Sequence, residues 1–228
     1  MVYTPSGSYL ELHFTLNEYE FKADEILQYA WDYAKQESHC RYGFTNEFFV
    51  FYHIAHIARH IYTGGCGLRP FIDFKIILDC FEFDKSALVD LLNKAELADF
   101  YNAATELTKM WFEGDNGSDI CKELENYILN SGIYGNMENK IAVINEKNAS
   151  RSKYIIDIIF PSKKSMAKKY PVIEKAPVLL PFMYVVRWIS SLFRGTYKQI
   201  LKVFSSSRKV TTDKQQKVAE LFSNLGLK

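Results

Sequence analysis

The amino-acid sequence predicts an α+β chain that is mostly α-helical, with one N-terminal strand followed by a multi-helix region. Three observations predict it. Between Tyr9 and Leu16, Leu10, Leu12, Phe14 and Leu16 alternate with Glu11, His13 and Thr15, the period of two of a half-buried strand. From Lys22 onward, apolar residues recur at three- and four-residue spacing, the period of an amphipathic helix. With 48% hydrophobic and 15% aromatic residues over 228 positions, the chain can bury a sizeable core rather than remain disordered.

The strand comes first, and its alternation places Glu11 and His13 together on the polar face. A strand must satisfy its backbone N–H and C=O groups, so this one is expected to pair with another chain, or to be left from a sheet missing here. Helices are expected over residues 22–36, 46–63, 70–82, 85–93, 95–112 and 118–130, with Thr45, Asp84 and Ser118 as N-caps. Residues 132–150, with Gly132, Gly135 and several Asn, read as a long loop. A helix near 151–160 follows, then a lysine-rich connection ending at Tyr170-Pro171, an apolar helix near 178–195 and a charged helix near 211–224. The apolar run Ala176 to Phe193 is interrupted by Pro181 and Arg187 and is too short to cross a bilayer. It reads as a buried core helix with a basic rim; Arg194, Lys198 and Lys202 beyond it give interfacial binding as the lesser alternative.

Charge divides the chain. Residues 1–150 hold 12 Lys/Arg against 23 Asp/Glu, and residues 151–228 hold 16 against 4, so the two parts carry −11 and +12. Three regions follow: the strand segment 1–20, an acidic helical region 21–150 and a basic helical region 151–228. Either the basic part docks on the acidic one or it meets a phosphate-rich or membrane partner. Lys163, Lys164, Lys168 and Lys169 form a basic run with no helix-turn-helix, RNA-recognition signature or zinc knuckle beside it, so specific nucleic-acid binding is not expected. Cys40, Cys66, Cys80 and Cys121 make no Cys-x-x-Cys pair and no signal sequence opens the chain, which predicts a reducing cytoplasm.

The densest chemistry lies in His53 to Asp73, HIAHIARHIYTGGCGLRPFID. On a helix, His53, His56 and His60 fall within an arc of about 60°, so all three can face one ligand. Gly64, Gly65 and Gly67 end that helix, and Pro70 suits the first turn of the next. The turn lacks the Gly-Lys-Ser/Thr ending of a P-loop. Arg69 and Asp73 are spaced to pair across one turn, unless Asp73 orients Arg69 or a histidine instead. Three readings of the histidines stay open: packing that organises the helix, contact with phosphate or substrate, and a zinc site.

The strand Leu10-Glu11-Leu12-His13-Phe14, the His53–Asp73 block, Gly132-Ile133-Tyr134-Gly135 and the late run FPSKKSMAKKYPVIEKAPVLLPFMYVVRW occur in this order. Together they resemble an uncharacterised family of bacterial nucleotidyltransferase-like proteins, over most of the chain. The resemblance implies a polymerase-β-type domain followed by helices, which transfers a nucleotidyl group from a nucleoside triphosphate to an acceptor with Mg²⁺. Glu11 sits where the family's third carboxylate is expected, as metal ligand and catalytic group, with His13, His53, His56, His60, Arg69 and Asp73 implied as substrate-binding residues. The Gly-Ser turn and Asp-x-Asp pair expected of such enzymes are not found; Gly117-Ser118-Asp119 reads as a helix cap. By resemblance the chain matches the family's C-terminal part, beginning at its last catalytic strand.

That departure shapes the expected function. Nucleotidyl transfer needs several carboxylates to hold two metal ions about 3.5–4 Å apart, and one Glu11 does not build that cage. The expectation is a truncated nucleotidyltransferase-like protein, inactive alone, that binds a nucleotide and an unknown acceptor and whose missing half a separate polypeptide could supply. The alternative is a helical interaction or regulatory module without catalysis, docking through the 9–16 strand edge. Without the resemblance, Glu11 and His13 read as the polar face of an edge strand.

Overall fold

The computed structural model describes residues 2–3, 9–10, 16, 21–133, 135–146, 156–193, 195 and 197–227. It is α+β and mostly helical, and it divides into two units: residues 1–134 with 221–228, and residues 135–220.

In the first unit, β1 (Val2–Tyr3) pairs antiparallel with β2 (Tyr9–Leu10), Val2 opposite Leu10 and Tyr3 opposite Tyr9. For residues 9–10 a partner is thus supplied within this chain. Glu11 and His13, with the rest of residues 11–15, lie outside the described residues.

The helix expected over 22–36 is not formed. A single turn, α1 (Asp24–Leu27), and a 3₁₀ turn at Ala30–Tyr33 lead into an antiparallel hairpin of β3 (Ala34–Ser38) and β4 (Arg41–Phe44). Its strand residues Lys35 to Ser38 are all exposed, so no buried alternation marks them as a strand. Aromatic packing holds the hairpin: Tyr33 stacks on Phe48 at 4.4 Å, Phe44 lies 5.0 Å from the same ring, and Trp31 meets Tyr42 edge-on at 5.7 Å. Such pairs stabilise by about 0.5–1.5 kcal/mol beyond their burial, enough to override local helix preference.

Five helices follow: α2 (Asn46–Tyr62), α3 (Arg69–Cys80), α4 (Lys85–Lys94), α5 (Ala98–Phe112) and α6 (Asp119–Ser131). All three expected caps form. The Thr45 hydroxyl accepts from Phe48 N at 3.4 Å, Asp84 Oδ1 accepts from Ser86 N at 2.8 Å, and Ser118 Oγ accepts from Cys121 N at 3.2 Å. Two caps also join helices. Asp84 N donates to Glu47 Oε1 at 2.8 Å, a bond that holds the Glu47 carboxyl below its usual range, while Ser118 Oγ donates to Glu106 Oε2 at 2.8 Å.

Helix α2 is the core element, burying Phe48, Phe51, Ile54, Ile57 and Ile61 against α3 and α4; α5 packs on α3, α4 and α6. Phe222, near the C-terminus, seats its ring 5.3 Å from Tyr62 and 5.6 Å from Tyr127.

The second unit corrects the reading of residues 132–150 as a loop, because α7 (Met137–Glu146) forms there. Asn136 Oδ1 accepts from Asn139 N at 2.7 Å, so a residue read as a loop former caps a helix. The lysine-rich connection is also helical: Ser162 caps α8 (Lys163–Lys169), and α9 (Val172–Lys175) follows. After a 3₁₀ turn at Pro177–Leu179 come α10 (Leu180–Phe193), α11 (Tyr197–Lys209), which the sequence reading did not foresee, and α12 (Thr212–Asn224). Met166, Ala167 and Ile173 form a small core, with Tyr170, Leu180, Met183 and Tyr184 against it.

Helix α10 is fastened by one face. Tyr184 Oη donates to Pro161 O at 2.7 Å, Arg187 donates to Ile159 O at 3.0 Å and Ile158 O at 2.9 Å, and Trp188 Nε1 donates to Ile159 O at 3.1 Å. These donors, at relative positions 0, 3 and 4 of the helix, cap the carbonyls that end the helical turn at 156–159. The expected burial of α10 is not found: none of its residues is buried. Among the described residues, no helix is long and apolar enough to cross a membrane.

Candidate functional site

The three histidines of α2 share an arc, yet they do not converge on one ligand. His53 Nε2 donates to Pro70 O at 2.9 Å and its ring stacks on Phe74, so it ties α2 to α3. Burial holds this imidazole below the ordinary histidine value of 6.5, against the opposing pull of the Pro70 bond and the Asp73 charge. Because Pro70 O can only accept, His53 carries a proton on Nε2.

One turn further along, His56 Nε2 and His60 Nε2 lie 3.0 Å apart with their rings nearly perpendicular, at 86°. Across that contact one ring must offer N–H and the other a lone pair.

Beyond His60 the glycine turn closes the helix by local chemistry. Gly65 N donates to His60 O at 2.9 Å and Gly64 N to Ile61 O at 3.3 Å, the two bonds of a Schellman cap, with Gly64 at φ 130° and Gly65 at φ 104°. The turn is clamped from α6: Tyr127 Oη donates to Ile61 O at 3.0 Å, and Gly67 N donates to Ile133 O at 3.1 Å. A side chain would collide at Gly65 and meet a tight neighbour at Gly67. A Cβ on Gly65 would stand 2.1 Å from Ser131 Oγ, and one on Gly67 would stand 3.1 Å from Ile133 Cα.

The clamp borders a cleft of about 720 Å³ lined by His60, Gly65–Pro70, Ile128 and Leu129 near the end of α6, and Gly132 and Ile133 just beyond it. Arg69 brings a permanent positive charge to it and His60 an imidazole, while Cys66, Leu68, Pro70, Ile128, Leu129 and Ile133 give it apolar walls. Arg69 is exposed at the start of α3 and forms no ion pair with any described residue. The expected Arg69–Asp73 bridge is absent; Asp73 acts electrostatically on His53 instead. Cys66 is buried and its thiol is pushed up to about 12 by burial, which disfavours the thiolate at neutral pH.

Of the site residues expected from sequence, His60 and Arg69 therefore share the cleft, His56 supports it through His60, and His53 and Asp73 stand behind it between α2 and α3. The spacing within residues 53–73 carries no sign of the part played by α6; the Gly132-Ile133 pair farther along the chain is the sequence signal that points to it. Among the described residues no group of three His, Cys, Asp or Glu side chains could hold a metal, so the zinc reading has no support there.

Residues 1–113 match the sequence model of a family described as an uncharacterised nucleotidyltransferase. The match takes the N-terminal half of this chain and includes the strand segment and the whole His53–Asp73 block. The Gly132–Gly135 and late Tyr-Pro…Arg runs fall outside it, so the resemblance is narrower than expected. No curated protein and no solved structure matches the chain.

Proposed function

We propose that the first unit is the substrate-recognition part of a nucleotidyltransferase-type protein, and that its cleft receives a phosphate of the nucleotide or of the acceptor. The observation that carries this reading is the placement of His60 and Arg69 in one cleft, within the segment that matches the nucleotidyltransferase family.

Electrostatics support an anion there. Arg69 brings a permanent charge in a fork suited to phosphate oxygens, at the positive end of the α3 dipole. Two helices end nearby with their negative poles, but the last-turn carbonyls His60 O and Ile61 O already accept from Gly65, Gly64 and Tyr127. The apolar walls lower the local dielectric and suit the base or carbon skeleton of the bound molecule. The His56–His60 pair can pass a proton to or from a hydroxyl held beside His60.

The described residues offer no cage for Mg²⁺. Glu11 remains the proposed carboxylate for a metal-bound triphosphate, and one carboxylate is too few for transfer. The proposal for these 228 residues alone is accordingly binding without catalysis.

Calorimetry of ATP with the full chain, with and without Mg²⁺, tests this. Arg69→Ala should weaken binding by about 10- to 100-fold, the loss of a charge-assisted phosphate contact. Glu11→Gln should remove the Mg²⁺-dependent part only. Absence of ATP binding, or binding indifferent to Arg69→Ala, overturns the assignment.

A further inference from the structure

We propose that the second unit docks on membranes: the exposed apolar stripe of α10, set in a strongly basic segment, inserts into the headgroup region of a bilayer containing anionic phospholipid. On a helical projection Phe182, Val185, Ile189, Leu192 and Phe193 fall within an arc of about 100°. They are 64%, 45%, 50%, 62% and 88% exposed, and Val178, one turn earlier, is 84% exposed. The opposite arc holds Met183, Tyr184, Arg187 and Trp188, which are engaged with the Met166–Ile173 core and with the carbonyls of residues 158, 159 and 161. One face is therefore anchored and the other is presented. Scattered surface leucines need no explanation, whereas a continuous stripe of this kind marks a contact surface.

Charge selects the occupant. Between residues 160 and 209 there are 11 Lys or Arg and a single acidic residue, Glu174; α10 itself has none. Lys163, Lys164, Lys169, Lys175 and Lys198 are exposed. A second copy seated stripe against stripe would bring the same positive segment with it, and the two would repel. The surface that is apolar and anionic at once is an acidic bilayer, whose hydrocarbon lies beneath negatively charged headgroups. At 14 residues, α10 is about 21 Å long, shorter than the hydrocarbon core of about 30 Å, so it would lie in the interface plane rather than cross it.

Sedimentation of the full chain with vesicles tests the proposal, using phosphatidylcholine alone and phosphatidylcholine mixed with phosphatidylglycerol. The chain should pellet with the mixed vesicles, and added salt should release it. The double substitution Phe182→Ser with Phe193→Ser should lower the partition coefficient by at least about 30-fold, since each ring withdraws a large apolar area from the interface. Lys198→Gln should lower it about fivefold, the effect of one basic residue near an anionic surface. Both changes are at exposed positions, so the melting temperature should stay unchanged and the loss can be read as lost docking.

No pelleting with mixed vesicles, equal pelleting with phosphatidylcholine alone, or indifference to both substitutions overturns the proposal. So does a concentration-dependent dimer that the double phenylalanine substitution dissolves, which would assign the stripe to a second copy. A failure here leaves the ATP titration untouched, because α10 contributes no residue to the His60–Arg69 cleft.

Discussion

Gly65→Ala should destabilise the first unit by about 2–5 kcal/mol, and the structure divides that cost into two parts. The first is backbone strain: Gly65 sits at φ 104°, where a residue with a Cβ costs roughly 1–2 kcal/mol. The second is a collision. The new methyl would stand 2.1 Å from Ser131 Oγ and 2.3 Å from Ser131 Cβ. Ser131 has little room to retreat, being 2% exposed with its hydroxyl bonded to Tyr127 O at 2.5 Å, and such overpacking costs about 1–3 kcal/mol. Gly114→Ala is the control, since Gly114 also has positive φ, 80°, but nothing lies within 4 Å of its added methyl. It should show the strain alone. Ser131→Gly removes both clashing atoms, so combined with Gly65→Ala it should cost about 1–3 kcal/mol less than the sum of the two single changes. Urea unfolding followed by Trp111 fluorescence, with Trp31 and Trp188 replaced by Phe, reads the first unit. With a slope of about 1–3 kcal/mol/M, a loss of about 3 kcal/mol lowers the midpoint by about 1–3 M. If Gly65→Ala costs no more than Gly114→Ala, or if the Ser131 pair is additive, the clamp between the glycine turn and α6 is wrongly described.

Two further outcomes follow from buried groups in the same region. Because burial lowers the His53 pKa below 6.5, the unfolded chain takes up a proton below that pH before the folded one does, and stability should fall as pH drops through this window. His53→Gln, which keeps a donor for Pro70 O without a titrating ring, should flatten that slope in pH-dependent denaturation; an unchanged slope would place the titration elsewhere. With a chromogenic disulfide reagent at pH 8, the exposed Cys40 and Cys80 should react at once. Cys66 and Cys121, raised by burial to about 12 and about 11, should lag by roughly a thousandfold and a hundredfold respectively until urea is added.

The features legible in the sequence were those whose chemistry is local. Thr45, Asp84 and Ser118 were read correctly as caps because a cap is made with the next two or three backbone amides, and the glycine turn was read as a helix end for the same reason. Periodicity found α2 to α6 because each buries one stripe. It failed where a strand buries nothing, as in Lys35 to Ser38, whose place is fixed by rings at Trp31, Tyr33 and Phe48 rather than by its own side chains. It failed again where one residue type serves two ends: Asn136 is as suited to a loop as to the cap it makes for α7.

The site shows the same division. Three histidines on one arc are a property of α2 alone, but their separate roles depend on what faces the arc. Pro70 O takes His53, the two remaining rings take each other, and the end of α6, more than 60 positions along the chain, closes the cleft around His60 and Arg69. Helix α10 carries the point furthest. Its apolar spacing predicts a helix with a covered face, and the helix is there, but periodicity is blind to the nature of the cover. Tyr184, Arg187 and Trp188 secure one side through carbonyls of the preceding segment, and the side bearing Phe182 and Phe193 stays exposed. Sequence hydrophobicity thus counts as core what the fold displays as surface, and at such a stripe the charge of its surroundings says more about the partner than the stripe itself does.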